Sequence, residues 1–464
     1  MTEFRIEKDS MGEMKVPQDV YYGAQTARAV DNFPISQSRM PRAMIRAMGE
    51  IKRAAAIVNA ELGKVDAKHA DAIVKAADHV IAGKGDAQFV VDIFQTGSGT
   101  STNMNTNEVI ANRAIEILGE TRGTKSVHPN DHVNYGQSSN DVFPTAMHLA
   151  TIEAIHDHLL VALKGLHASL DRKSKEFDGI VKIGRTHLQD ATPIRLGQVF
   201  SGYAAQVADS IRRLERSSTE LHALALGGTA VGTGINTSSK FIRKVIETLA
   251  KRYGHPLHEA ENHFAAQGGK DALVDVSGAL RATAVALTKV ANDVRWLASG
   301  PRCGIGEIKL PATQPGSSIM PAKVNPVIAE SLLMVCAQVV GNDATVALCG
   351  QSGNFELNVM MPVMIHNVLE SCALLASASA NFQKRCVDGI EADEARCKDL
   401  IEQSLAMCTV LAPKIGYDQA AQIAKEAYQG GKTVRQIATE RKILPKDELD
   451  ELLEPINQTR PEQN

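Results

Sequence analysis

Apolar residues recur along most of this chain at three- and four-residue spacing. Leu149, Ile152, Ile155, Leu159 and Leu160 form one such stripe, the period of a helix with one face in a core. The pattern predicts a helix over 43–62, with Gly63 placed as its C-terminal stop. A polar, glycine-containing segment, Gln95–Glu108, leads into an apolar helical stretch at Val109–Leu118. Five long helix-compatible segments follow, near 140–177, 193–225, 236–253, 271–299 and 326–350. Leu332 to Val346 is apolar nearly all round, and such a helix has to be surrounded, by a bundle core or a subunit interface. The expected fold is mostly α. Its expected domains are a mixed, mostly helical one over 1–138, a helical bundle over 139–391 and a small helical one over 392–464. In the last of these, Tyr417–Ala427 reads as a helix, and the polar tail Asn457–Asn464 is expected to fray.

Composition narrows this picture. Aromatics are 4% of 464 residues while small and aliphatic residues abound, which favours helix-on-helix packing over a β-sandwich. A net charge of -3, with no basic-aromatic stripe, excludes a nucleic-acid partner. The run Ser331–Gly341 is short for a bilayer and is flanked by Glu330 and Asp343, so no membrane partner is expected. The first residues resemble neither a secretory signal nor a transit peptide. The seven cysteines form no C-x-x-C pair and are odd in number, which points to reduced thiols and a cytoplasmic location. Phosphate-loop, dinucleotide and H-E-x-x-H motifs are missing, so neither a cofactor nor a metal is expected.

Four polar segments interrupt the helical pattern and are the places for chemistry. In Thr96-Gly-Ser-Gly-Thr-Ser101 the glycines permit close backbone approach to an anion, or form a flexible cap before a helix. His128-Pro-Asn-Asp131 leads to Gln137-Ser-Ser-Asn-Asp141. There, Ser138, Ser139 and Asn140 are more hydroxyl and amide groups than one helix cap needs, and together they suit a carboxylate. Gly184-Arg-Thr-His-Leu-Gln-Asp-Ala-Thr-Pro193 carries His187, a side chain able to move a proton or activate a water, and Pro193 is expected to open a helix. Gly316-Ser-Ser-Ile-Met-Pro-Ala-Lys-Val-Asn325 places Lys323 and Asn325 two apart, on one side of an extended chain, both able to donate to a carboxylate. Composition leaves open that this last segment is a surface connector.

Taken together, these segments resemble the fumarase/aspartase superfamily over nearly the whole chain. Residues 316–325 match its signature G-S-x-x-M-P-x-K-x-N at every fixed position. Within it the resemblance is to class II, iron-independent fumarases. They share Thr-His-Leu-Gln-Asp at 186–190, Gln-Ser-Ser-Asn-Asp at 137–141 and Thr-Gly-Ser-Gly-Thr at 96–100. Ala322 points the other way, toward aspartases, since many fumarases have Gly there.

The resemblance implies three mostly α domains, with a central five-helix bundle that forms the twenty-helix core of a homotetramer with shared active sites. It implies reversible hydration of fumarate to (S)-malate, a tricarboxylic-acid-cycle step on a small dicarboxylate. Aspartate ammonia-lyase is the alternative within the fold, and a non-catalytic helical scaffold the alternative outside enzymology. Carried over by position, Ser317 is the catalytic base, His187 works on the oxygen side through a water, and Glu330 pairs with that histidine. Ser98, Gly99, Thr100, Ser138, Ser139, Asn140, Thr186, Ser318, Lys323, Val324 and Asn325 bind substrate. His128, Pro129, Asn130 and Asp131 match a second dicarboxylate site near the entrance.

Overall fold

The computed structural model describes residues 3–461. The chain is mostly helical and forms two compact units, each assembled from three stretches. One comprises Met1–Val161, Arg212–Ala284 and Ala337–Ala376; the other comprises Ala162–Ile211, Val285–Cys336 and Ser377–Asn464.

In the first unit, Phe4–Asp9 and Gly12–Pro17 pair as an antiparallel hairpin ahead of the helices. The helix predicted at 43–62 is Arg42–Glu61, and Gly63 follows it in the left-handed region at φ 65. The next helix departs from the pattern. It runs Thr100–Ile117, so nine residues of the polar segment are already helical, and nearly all of them are buried. Tertiary partners make this tolerable, because a buried polar group costs little once it is hydrogen-bonded. Glu108 alone accepts from the backbone N–H groups of Gly23, Gln25 and Thr26 and from the Thr26 hydroxyl. Asn105 Nδ2 donates to Gln88 O at 3.0 Å, and Gln95 Oε1 receives both Thr102 N and Thr102 Oγ1. The stripe from Leu149 to Leu160 is fully buried, as its period requires.

The apolar helix is Val327–Gly350, 24 residues, matching the segment expected at 326–350. By length and composition, it and the helix that starts at Met361 are each sufficient to cross a membrane. Its middle carries buried Asn342 and Asp343, held by Glu370 and Ser371 and by Ser277 and Arg281 respectively. Its other face is not covered by the rest of the chain. Met334, Ala337, Val340, Gly341, Ala344 and Leu348 are exposed within one chain. Met361–Arg385, a 25-residue helix, is one that the hydrophobic pattern did not single out.

In the second unit, Val181–Thr186 and Gln189–Arg195 form an antiparallel hairpin. Pro193 lies inside its second strand opposite Ile183, and the following helix starts only at Leu196, so the proline does not open it. The C-terminal helices enclose a small core that includes Met407, Leu411, Ile423, Ile437 and Leu453. The tail is ordered further than its polarity suggests. Pro455–Thr459 is a 3-10 turn, and Thr459 O accepts from Gln198 Nε2 at 2.9 Å. Glu462–Asn464 lie outside the described residues.

Candidate active site

The glycines of the Thr96–Ser101 segment are there for packing and for backbone conformation. A Cβ on Gly97 would lie 1.7 Å from Val359 O, and one on Gly99 would lie 2.2 Å from the buried Phe143 ring. Gly99 also has φ 75 and caps the helix that Thr100 begins. This turn brings Ser98 Oγ and Thr100 Oγ1 to 2.8 Å from each other.

His128 opens a π-turn over Pro129–Val133. Its Nδ1 lies 3.3 Å from Asn130 N, 3.1 Å from Asp131 N and 3.2 Å from the Asp131 carboxylate. His128, Pro129 and Asn130 line one side of a cavity of about 400 Å³ whose other walls include Lys8, Glu108 and Lys125. Asp131 is not among the cavity residues and is exposed.

The next helix starts at Ser139 with a capping box: Ser138 Oγ accepts from Asn140 N, and Asp141 Oδ1 accepts from Ser138 N at 2.9 Å. Asp141 is fully buried, and its Oδ2 accepts from Gly227 N and Thr229 N. Burial pushes its carboxyl above the usual carboxylate range, while those N–H groups and the Lys52 ammonium oppose the shift. Asn140 Nδ2 donates to Ala230 O at 2.8 Å, and Ser139 Oγ accepts from Asn103 Nδ2 at 2.9 Å. Capping therefore accounts for Ser138 and Asp141 and leaves the Ser139 and Asn140 side chains with other partners.

His187 and Leu188 are the two central residues of the hairpin turn between Thr186 and Gln189, with φ 56 and φ 60. A two-residue hairpin of this kind favours Asn-Gly; a histidine and a leucine there cost about 1–2 kcal/mol each. The strained pair sits at an exposed tip of the hairpin. The hairpin is anchored below by buried Glu307, whose Oε2 meets Arg185 Nη1 at 2.9 Å and Lys182 Nζ at 3.2 Å. Burial lowers the Lys182 pKa, and Glu307 counteracts this.

The segment Gly316–Asn325 closes on itself. Gly316 N donates to Lys323 O at 2.9 Å, Asn325 Nδ2 donates to Gly316 O at 2.7 Å, and Lys323 Nζ donates to Asn325 Oδ1 at 2.8 Å. Gly316 is required, since a Cβ would lie 2.2 Å from Lys323 O. Lys323 and Asn325 do share a side, as their spacing predicted. Ser317 Oγ accepts from Met320 N at 2.9 Å and Ile319 N at 3.3 Å. Ser318, Lys323 and Val324 are exposed, and Ala322 holds φ 63 without being glycine.

Glu330 sits in the first turn of the Val327–Gly350 helix. Among the described residues, neither Glu330 nor His187 makes a side-chain hydrogen bond or ion pair, so the expected Glu330–His187 pair is not formed within one chain. Ser98 to Thr100, His128 to Asp131 and Ser138 to Asn140 belong to the first unit; Thr186, His187, 316–325 and Glu330 belong to the second. Sequence reasoning missed Lys52, Asn103 and Glu307, which stand behind these segments. Their signal is a charged or amide residue inside an otherwise apolar or helical run, visible only once burial is known.

A lyase family matches residues 12–341, and the C-terminal domain of fumarase C matches residues 407–460. The chain is 54% identical to the class II fumarate hydratase of Thermosynechococcus vestitus over 97% of its own length and 96% of that protein's. It is 52% identical to the mitochondrial fumarate hydratase of Macaca fascicularis, covering 99% of this chain and 90% of that one. Among solved structures, a class II fumarase from Schistosoma mansoni superposes with a TM-score of 0.96 at 41% identity, over 99% of this chain and 100% of that one. A cobalt-bound fumarate lyase from Brucella melitensis gives 0.95 at 46% identity, again over 99% and 100%. Segment by segment and over its whole length, the chain belongs to the class II fumarate hydratase family.

Proposed function

We propose that this chain is a hydro-lyase that interconverts fumarate and (S)-malate, with Ser317 as its base. The observation that carries this reading is the Ser317 hydroxyl, which already accepts from two main-chain N–H groups in a loop tied shut by Lys323 and Asn325. A serine hydroxyl is a very weak acid. Amide donors on its oxygen and a nearby ammonium are what lower the cost of its alkoxide.

In the dehydration direction, Ser317 takes a proton from the carbon next to a carboxylate of malate. The electron pair moves into that carboxylate as an aci-carboxylate, which Lys323 and Asn325 stabilise as donors aimed at the developing charge. The pair then forms the C=C bond as the C–O bond breaks. The hydroxyl leaves as water with a proton relayed from His187 through a bound water. Glu330 orients the imidazole and holds its tautomer. Ser98, Gly99, Thr100, Ser138, Ser139, Asn140, Thr186, Ser318 and Val324 form the surrounding cradle, and His128, Pro129, Asn130 and Asp131 form a second dicarboxylate site near the entrance.

The assembly in this proposal is a homotetramer whose sites draw on more than one copy. Two features support it: the exposed apolar face of the Val327–Gly350 helix, where Ala337, Gly341 and Ala344 permit close helix approach, and the Glu330 carboxylate, which has no ion-pair partner among the described residues. The seven free thiols, five of them buried, support a reducing compartment, the cytoplasm.

The test is spectrophotometric. Purified protein should change the ultraviolet absorbance of fumarate and release no ammonia from aspartate; the reverse result would assign the chain to the ammonia-lyases. Ser317→Ala should lose nearly all turnover while keeping its fold and its mass by light scattering. Full activity in that variant removes Ser317 from its role.

A further inference from the structure

Behind the Ser138–Asn140 cradle lies a buried lysine that the mechanism does not use. Lys52, on the Arg42–Glu61 helix, has no exposed surface, and burial brings its pKa down to about 7. Its Nζ donates to Asn134 Oδ1 at 2.8 Å and to Gln137 Oε1 at 3.0 Å. The charged group that acts on it is Asp141, whose carboxylate favours the ammonium form.

In its ammonium form, which the Asp141 carboxylate favours, Lys52 has donors only, so both amides present oxygen to it. That fixes the next link. With Oδ1 facing Lys52, Asn134 turns Nδ2 toward Gln137 O, at 3.2 Å. Asn134 Oδ1 also faces Asn103, so Asn103 must present its own Nδ2, and does, at 3.3 Å. The same Nδ2 reaches Ser139 Oγ at 2.9 Å. Asn103 keeps this orientation although its buried Oδ1 then has no partner among the described residues. Lys52 and Asn103 thus both donate into Asn134 Oδ1, and the Asn103 amide, fixed in that orientation, also donates to Ser139, whose oxygen ends as an acceptor. A hydroxyl whose lone pair is taken by an internal N–H keeps its own proton for an external acceptor.

We infer that Lys52 is a positioning residue that, through Asn134 and Asn103, sets the Ser139 hydroxyl as a donor toward a substrate carboxylate. This rests on the binding role of Ser139 proposed above. It adds that the donor polarity of the cradle is imposed from a charge buried two amides away. Gln137, whose Nε2 donates to Val133 O and Tyr135 O at 3.2 Å, holds the same turn from the other side of the lysine.

The experiment compares KM and kcat for fumarate in Ser139→Ala, Lys52→Met, Asn103→Leu, Asn103→Asp and the Lys52→Met/Ser139→Ala double variant. Thermal unfolding of each checks the fold. Ser139→Ala should raise KM roughly tenfold, the worth of one hydrogen bond to a charged group. Lys52→Met should raise KM several-fold with little change in kcat, and should add nothing in the Ser139→Ala background. Asn103→Asp, which when ionised can only accept and so draws the Ser139 proton inward, should raise KM well above Asn103→Leu, which leaves that proton free, and this excess should vanish in the Ser139→Ala background, where simple charge repulsion would persist. A packing role alone ranks these two near-isosteric changes equal.

The inference is overturned if Ser139→Ala raises KM but Lys52→Met does not, or if the two effects simply multiply in the double variant. It is equally overturned if Asn103→Asp is no worse than Asn103→Leu, a comparison that stands even if Lys52→Met fails to fold. An unchanged KM in Ser139→Ala is a different failure, and sinks the binding role of Ser139 itself.

Discussion

Gly99→Ala puts the reasoning about the first cradle to a quantitative test. Two separate costs arise at this position. The backbone is left-handed at φ 75, which costs an alanine about 1–2 kcal/mol. The new methyl carbon would also sit 2.2–2.4 Å from three ring carbons of Phe143, a side chain with no exposed surface. Overpacking of that kind in a close-packed core costs roughly 1–3 kcal/mol. The expected loss is therefore about 2–5 kcal/mol. Gly119→Ala is the control. It has φ 81, but a Cβ there meets nothing within 4 Å, so it carries the backbone cost alone. Urea unfolding of both variants at equal protein concentration, with the m-value checked for constancy, gives the two numbers. Gly99→Ala should also raise the KM for fumarate, because Ser98 and Thr100 flank it and their 2.8 Å hydroxyl contact opens when the turn shifts. If Gly99→Ala is no less stable than Gly119→Ala, the Phe143 contact is not a constraint. The glycine would then be the flexible cap that the sequence left open.

Three further outcomes are expected. Glu307→Ala leaves buried Lys182 without its counter-charge and should cost about 3–5 kcal/mol in thermal or urea unfolding; a change under about 1 kcal/mol would show that the hairpin is held elsewhere. Ala322→Gly removes a left-handed alanine, so it should be neutral to mildly stabilising and keep fumarate turnover without gaining ammonia release from aspartate; lost turnover would mean that the alanine itself is needed. His148 is half-buried, its Nδ1 lies 3.0 Å from Leu221 O, and its pKa is pushed down to about 4, chiefly by desolvation. The unfolded chain takes up this proton below about pH 6.5 while the folded one does not, so stability should be flat above that pH and fall between about pH 6.5 and 4. The loss approaches about 3 kcal/mol for this residue, and urea midpoints for wild type and His148→Gln across that range should converge as the pH drops.

The fold was legible wherever apolar side chains recur at the helical period. Leu149 to Leu160 and the 43–62 helix keep that period, although both are buried well beyond a single face, with Glu50 and Lys52 enclosed in the second. The reading failed where burial falls on polar side chains or where apolar ones stay exposed. Thr100–Ile117 is buried nearly all round with polar side chains, so it has no apolar stripe to read. Its stability comes from partners as remote in sequence as Gly23 and Thr26, and local propensity does not report these. The Val327–Gly350 helix fails in the opposite sense: uniform apolarity says that it needs covering but does not say by what.

The site shows the same division between what local chemistry encodes and what only the fold reveals. Spacing alone placed Lys323 and Asn325 on one side, because neighbours two apart in extended chain are geometrically bound to be. The hairpin under His187 was hidden because its turn is His-Leu, with the positive φ values that Asn-Gly would have advertised. Lys52 and Asn103 were hidden for a deeper reason. A lysine in a helix is ordinarily a solvated residue, and an asparagine in a polar run is ordinarily a cap or a turn. Only burial converts the first into a fixed donor and the second into a relay whose orientation is forced. Residues that touch substrate are thus recognisable by type and spacing. The residues that decide which way those hydroxyls point are recognisable only by what is left over when every buried donor and acceptor has been paired.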